Sequence, residues 1–161
     1  MKHQSQVRYP ASSDVVIKMF TDKNFHTRKL DTMGLKNYLI LDHALEGAEF
    51  RIKIQRKVPM QAPALVKKFV SAESTVVNEE RWNTKSKTGK VLVEPQGMPL
   101  EMWCVTALKD QGGECIVSYD WTIKAGIPIV GGALEKFVVS DLERRSTEEN
   151  EIAIRMLKDY R

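Results

Sequence analysis

The sequence predicts an α+β fold in which a curved antiparallel sheet of six or seven strands surrounds one long C-terminal helix. Residues 114–124 alternate between apolar and polar side chains, the pattern of a half-buried strand in an antiparallel sheet. Gly126 and Pro128 end this strand, and the apolar residues after them recur at helical spacing as far as Tyr160. The other predicted strands are joined by connections of hairpin length, which also favours antiparallel pairing.

The elements before this C-terminal unit follow from alternation, capping residues and turn residues. Ser12 or Ser13 is suited to cap a first helix, and Gly34 is suited to end a second helix in the left-handed conformation. In chain order we predict a strand at 3–9, a helix to about Phe20, a short helix from about Asp22 to Gly34, strands at 38–45 and 50–58, a short helix after Pro63, strands at 75–85, 90–95, 99–109 and 114–124, and a helix from about Pro128.

Composition indicates one ordinary globular domain spanning residues 1–161. The chain is 42% hydrophobic and 29% charged, and its length is sufficient to bury a core without disulfides or metals. Basic and acidic residues number 25 and 21 and are interspersed, whereas a nucleic-acid partner would require basic charge concentrated on one face. The sequence contains no apolar run long enough for a membrane span and begins without the apolar segment of a signal peptide. We therefore expect a cytoplasmic protein.

Cys104 and Cys115 flank a turn signal at residues 110–113. A two-residue loop at Gln111-Gly112 would place Leu108 opposite Cys115 and Cys104 opposite Tyr119. The two thiols would then share a face of the sheet without being partners. This favours two buried, reduced cysteines over a disulfide, in keeping with a reducing compartment.

The order of these elements, together with two local motifs, resembles the START and polyketide-cyclase superfamily, also called SRPBCC. One motif is the entry into the first helix, Tyr9-Pro10-Ala11-Ser12-Ser13-Asp14-Val15-Val16; the other is Pro128-x-x-Gly131-Gly132-x-x-Glu135 before the last helix. Within the superfamily the chain is similar to a bacterial START-like family of unknown function. The resemblance implies the helix-grip fold and an internal site for lipids, hormones, polyketides or other apolar small molecules. It carries over no catalytic residue, because the superfamily has no shared catalytic motif.

A site for an apolar ligand requires apolar and aromatic walls with a few polar groups that orient the ligand. Wall candidates are the inward-facing residues of the strands and of the last helix. They are Ile52, Ile54, Trp82, Met102, Cys104, Val117, Tyr119, Trp121, Leu134, Phe137 and Val138. The alternative is that these side chains fill a packed core and leave no cavity.

Arg56 interrupts the apolar series of its strand and therefore points inward if the strand is regular. Glu80 lies on the face that Val76 and Trp82 share. A buried guanidinium is costly unless it is paired, so Arg56 is expected to meet either Glu80 or the polar end of a ligand. The alternative is an irregular strand end near Pro59 that turns Arg56 to solvent.

The last helix has no apolar residue between Leu142 and Ile152. Arg145 and Glu149 lie on its inward-facing phase, one turn after Asp141, and charges at this spacing can pair along a helix. The favoured interpretation is that the helix passes an exposed edge at this point. The alternative is a polar spot that lines one end of the pocket.

These observations favour a protein that binds an apolar or amphipathic small molecule and has no catalysis of its own. The three histidines, His3, His26 and His43, are far apart in sequence, and neither a metal site nor a cofactor is expected. The alternatives are a cyclase- or dehydratase-like enzyme with a strongly shifted titratable group in its pocket, and an interaction module with a filled core. Nothing in the sequence indicates an oligomeric state.

Overall fold

The computed structural model describes residues 1–161 and contains one antiparallel sheet of seven strands. The strands are β1 (Lys2–Tyr9), β2 (Leu39–Glu46), β3 (Glu49–Pro59), β4 (Glu73–Asn83), β5 (Thr88–Pro95), β6 (Leu100–Gln111) and β7 (Glu114–Ala125). Their order across the sheet is β1-β7-β6-β5-β4-β3-β2. Strands β2 to β7 are therefore sequential neighbours, and the first strand completes the sheet by pairing with the last. This confirms the predicted sheet.

Three α-helices accompany the sheet: α1 (Ser13–Phe20), α2 (Lys23–Thr32) and α3 (Gly131–Met156). Ser12 caps α1 by accepting a hydrogen bond from the backbone N–H of Val15, and Asp22 caps α2 in the same way. After α2 the chain turns at Gly34, whose φ of 81° suits a residue without a side chain. None of the helices has both the length and the apolar character needed to cross a membrane.

Helix α3 is held against the sheet by two separate hydrophobic clusters. At its C-terminal end, Ile152, Ala153 and Met156 belong to a cluster of 19 buried residues that includes α1, α2 and the aromatic residues of β3 and β4. At its N-terminal end, Leu134 and Val138 belong to a cluster of 10 buried residues with β5, β6 and β7. The long C-terminal helix of the predicted helix-grip fold is thereby confirmed, and its middle belongs to neither cluster.

The predicted register of the β6–β7 hairpin is wrong by two residues. Leu108 lies opposite Val117, and Cys104 lies opposite Trp121. The loop is Gly112-Gly113, with φ values of 60° and 83°, rather than Gln111-Gly112. A tight two-residue hairpin favours positive φ at both central residues, which two glycines adopt without strain. Both cysteines are buried and free.

The segment between β3 and β4 also differs from the prediction. The short helix expected after Pro63 is only a 3₁₀ turn over Lys67–Phe69. Val66 and Val70, on either side of this turn, are buried in the cluster that holds the N-terminal end of α3. These two valines are thus explained by burial beneath a loop, whereas Leu65, which also favoured the helix prediction, is exposed.

A candidate ligand-binding cavity between the sheet and helix α3

A cavity of about 200 Å³ lies beside the middle of α3, between the two hydrophobic clusters, and is lined by 29 residues, of which 17 are hydrophobic. Both hydrophobic clusters contribute to its wall: Phe20, Ile52 and Ile54 from the larger one, and Met102 and Trp121 from the smaller one. The two clusters therefore leave a space between them where the helix bridges the sheet. A concave, largely apolar wall with a few polar groups is the usual form of a small-molecule site.

Of the side chains predicted from the sequence, the structure brings eight together at this cavity. They are Ile52, Ile54, Arg56, Glu80, Met102, Tyr119, Trp121 and Val138. The other five are not part of its wall. Trp82, Cys104, Val117 and Leu134 are buried in the two clusters, and Phe137 is half-buried against the smaller one.

The charged stretch of α3 faces the cavity, so the favoured interpretation of an exposed edge is corrected. Asp141, Arg145 and Glu149 all line the cavity, as do Ser146 and Asn150. Polar groups in this stretch face the cavity and polar groups of β3, so they are not buried directly against apolar side chains. The alternative, a polar spot in the pocket, describes the observed arrangement.

Arg56 points inward as its strand phase predicted, but its partner is Glu149 of α3 rather than Glu80. The Nη1 atom of Arg56 donates a hydrogen bond to Oε1 of Glu149 at 2.9 Å, and the two side chains are 13% and 21% exposed. Burial by itself would raise the pKa of Glu149, but the positive charges of Lys29, Arg56 and Arg145 outweigh it and lower that pKa. Glu149 is therefore a carboxylate at neutral pH.

A second ionic group lies one to two turns earlier on α3. Asp141 accepts hydrogen bonds from Nη2 of Arg144 at 2.6 Å and from Nε of Arg145 at 2.7 Å. Arg145 also donates from Nη2 to the carbonyl oxygen of Pro59 at the end of β3. These contacts tie the middle of α3 to the sheet edge of the cavity and occupy both oxygens of Asp141.

Glu80 forms a third polar group with His26, a residue that sequence reasoning treated only as an isolated histidine. Glu80 accepts a hydrogen bond from Nε1 of Trp82 at 3.2 Å, and its Oε2 lies 3.5 Å from Nδ1 of His26. His26 donates from Nε2 to the carbonyl oxygen of Phe20 at 2.7 Å. Its spacing from Lys29 and Leu30 places all three on one face of α2, and this periodicity is the signal that could have identified it.

Burial lowers the pKa of His26 below its ordinary value of 6.5; the positive charge of Lys29 adds to this, and Glu80 opposes it. The folded protein therefore binds a proton at His26 less readily than the unfolded chain does. It follows that the contribution of His26 to stability is complete above about pH 6.5 and declines as the pH falls toward the folded pKa.

We expect His26→Gln to flatten the pH dependence of the free energy of unfolding between pH 7 and pH 5, measured by urea denaturation. Glutamine remains neutral across this range and retains hydrogen-bonding groups. The exposed His43→Gln is the matched control and should keep the dependence of the parent protein. An unchanged slope in His26→Gln would contradict a buried neutral imidazole.

Two buried polar atoms of the cavity wall have no hydrogen-bond partner in the protein: Nε of Arg56 and Oδ1 of Asn78. Buried polar atoms are nearly always satisfied in folded proteins, so these two require an explanation. An ordered water or a bound molecule with its own polar group would supply the missing partner. The phenolic groups of Tyr9 and Tyr119, which also line the cavity, have pKa values raised by burial and stay protonated.

Solved structures with the same architecture include several proteins of low sequence identity. TTHA0849 from Thermus thermophilus is 18% identical with a TM-score of 0.63, over 98% of this chain and 96% of that one. Ara h 8.0201 is 13% identical with a TM-score of 0.63, over 99% and 98% of the two chains. Norcoclaurine synthase from Thalictrum flavum, in complex with dopamine and hydroxybenzaldehyde, is 11% identical with a TM-score of 0.64, over 100% and 88%.

These likenesses show that the fold is the helix-grip fold, as the sequence predicted. No curated protein matches the sequence. The family model described as "Protein of unknown function (DUF2505)" matches residues 4–157, and the chain therefore belongs to that family.

Proposed function

We propose that the protein binds, and is suited to carry, an apolar or amphipathic small molecule in the cavity between the sheet and α3. The observation that supports this most directly is an apolar cavity whose wall includes buried polar atoms without partners, at Arg56 and Asn78. Apolar walls provide affinity through burial, and a few polar groups provide orientation. The resemblance to small-molecule-binding proteins of the same fold supports the same proposal.

The cavity argues against an interaction module with a filled core. Its volume of about 200 Å³ exceeds the ~150 Å³ of an apolar cavity that binds benzene. A space of this size without contents forfeits contacts for every side chain around it. A small molecule of matching size would supply such contacts.

An enzyme of the cyclase or dehydratase kind is the second candidate, and the His26–Glu80 pair favours it. A histidine with a lowered pKa beside a carboxylate is a common acid–base arrangement, and norcoclaurine synthase shares the fold. Both ring nitrogens of His26, however, already face protein atoms, those of Phe20 and Glu80. His26 would have to release one of these contacts to reach a substrate, and we therefore prefer binding without catalysis.

We place this activity in the cytoplasm, with no cofactor. Support for a reducing compartment comes from Cys104 and Cys115, which are both buried and free. Burial raises the pKa of the Cys104 thiol to about 12 and also raises that of Cys115, so both remain protonated and unreactive.

The test is to measure binding of a neutral probe, 3-phenylpropan-1-ol, by isothermal titration calorimetry, and to look for a co-purified ligand by native mass spectrometry. Val93 of β5 lines the cavity, and its neighbour Leu92 points to the opposite face of the sheet. We expect Val93→Phe to fill the cavity and weaken binding of the probe by about tenfold or more. Leu92→Phe should bind like the parent. Equal affinity in the two variants, or no binding by the parent, would contradict the proposal.

A further inference from the structure

We propose that the ligand is a compact carboxylic acid whose carboxylate binds at Lys29 and Arg56 while its apolar body fills the cavity. This inference rests on the proposed function and adds the chemical class of the ligand. Its basis is that some polar groups of the cavity wall have hydrogen-bonded or ionic partners within the protein and others have none.

The carboxylates of the wall are all engaged. Asp141 is held by two arginines, and Glu149 accepts from Arg56. Glu80 accepts from the indole of Trp82 and faces His26. The wall therefore has no unengaged carboxylate that could bind a cationic or amine-bearing ligand.

The cations are only partly engaged. Lys29 lines the cavity and is half-buried, yet its Nζ atom makes neither an ion pair nor a hydrogen bond; its closest described interaction is with the ring of Phe25, whose centre is 5.2 Å away. Arg56 uses Nη1 for Glu149 and leaves Nε buried without a partner. The positive charges of Lys29 and Arg56 both lower the pKa of Glu149.

The third free group is the side-chain amide of Asn78, which makes no hydrogen bond within the protein. Because no partner fixes the orientation of this amide, either its oxygen or its nitrogen can face a ligand. With the nitrogen turned inward, Lys29, Arg56 and Asn78 each present a free donor to the cavity. A head group that only accepts hydrogen bonds, such as a carboxylate, matches this donor character.

The size of the cavity limits the apolar body. About 200 Å³ holds little more than a substituted ring, since ~150 Å³ is sufficient for benzene. An aryl acid with a short side chain and a medium-chain fatty acid share this chemistry: a monocarboxylate on a small apolar body. The experiment separates the two sources.

The experiment compares acids with the alcohols of the same skeleton, by calorimetry at pH 7.5 and low salt: 3-phenylpropanoate against 3-phenylpropan-1-ol, and octanoate against 1-octanol. We expect one acid to bind at least tenfold more tightly than its alcohol, and the pair in which this occurs identifies an aryl or an alkyl body. Lys29→Met should lower the affinity of the acid about tenfold or more and so abolish its preference over the alcohol. Lys29 makes no hydrogen bond or ion pair, so this variant leaves no hydrogen-bonded partner unsatisfied, and urea denaturation checks that it folds although its charge contributes to the lowered pKa of Glu149.

Lys23→Met is the matched control, since Lys23 is exposed on the same helix and should alter neither affinity. Lys29→Arg keeps the charge and should retain most of the preference. Acids that bind no better than their alcohols, or a preference that survives in Lys29→Met, would overturn the carboxylate site while leaving the proposed function intact. Failure of acids and alcohols alike would overturn the proposed function itself.

Discussion

Truncation of Trp82 to alanine is expected to lower the free energy of unfolding by about 3–5 kcal/mol, measured by urea denaturation. The side chain is 2% exposed, and its ring centre lies 5.3 Å from that of Phe20 on α1. On the neighbouring strand the ring lies against Gly89, where a Cβ atom would come within 2.6 Å of it. Bare backbone on that side cannot move in to refill the space, so most of the cavity created by the truncation should persist.

Trp103→Ala is the matched control for this prediction. Trp103 lies on the other face of the sheet, half-buried, with Nζ of Lys124 5.3 Å from its ring centre. Its removal loses one cation–π contact and part of the apolar burial, about 1 kcal/mol. If Trp82→Ala costs no more than Trp103→Ala, the larger cluster does not depend on the aromatic contact between α1 and β4.

Arg56→Met is expected to destabilise the protein by about 2 kcal/mol or more, because it leaves the carboxylate of Glu149 without its hydrogen-bonded partner. The ~3–5 kcal/mol typical of a fully buried pair is an upper bound here, since both side chains keep some exposure. The double variant Arg56→Met, Glu149→Met should recover much of the loss. Replacing Glu80 by Gln in the Arg56→Met background should recover none of it, because Glu80 is not the partner.

The same pair gives a pH dependence of known sign. The pKa of Glu149 is lower in the folded protein than its ordinary value of 4.5, so its stabilising contribution is complete above that pH. As the pH falls through the folded pKa, the carboxylate is protonated and the contribution is lost. The difference in unfolding free energy between the parent and Arg56→Met should therefore shrink on acidification below about pH 4.5. A difference that is constant with pH would show that Arg56 stabilises the fold without using this charge.

The fold could be predicted from the sequence because its elements carry strong local patterns. Alternation in β3 and β7 identified both the strands and their inward faces, and Gly126 with Pro128 separated β7 from α3. The register predicted for the β6–β7 hairpin was wrong because residues 110–113 contain more than one possible two-residue turn. Only the conformational preference of two adjacent glycines distinguishes the observed loop, Gly112-Gly113, from its neighbour.

The site was less predictable, because a strand pattern tells which face a residue occupies but not what lies opposite. Arg56 and Glu149 are 93 positions apart, and nothing local relates them. Tyr119 and Val117 share one face of β7, yet the first lines the cavity and the second is covered by the core. Depth along the strand decides between them, and that depends on where α1 and α2 cover the sheet. Lys29 was not predicted for a similar reason. It stands out only because its Nζ atom has no hydrogen-bonded or ionic partner in the protein, and the sequence does not show this.

Helix α3 is held by a hydrophobic cluster near each end, and the turns between these anchors contribute polar side chains to the cavity. The residues from Glu143 to Glu151 add nothing to either hydrophobic cluster. Charges in this stretch can therefore be exchanged, provided that each change is matched across the cavity, while the anchors at Leu134 and Ile152 keep the helix in place. Ligand preference can then diverge between related chains without a new fold or a new core, because recognition and anchoring reside in different turns of one helix.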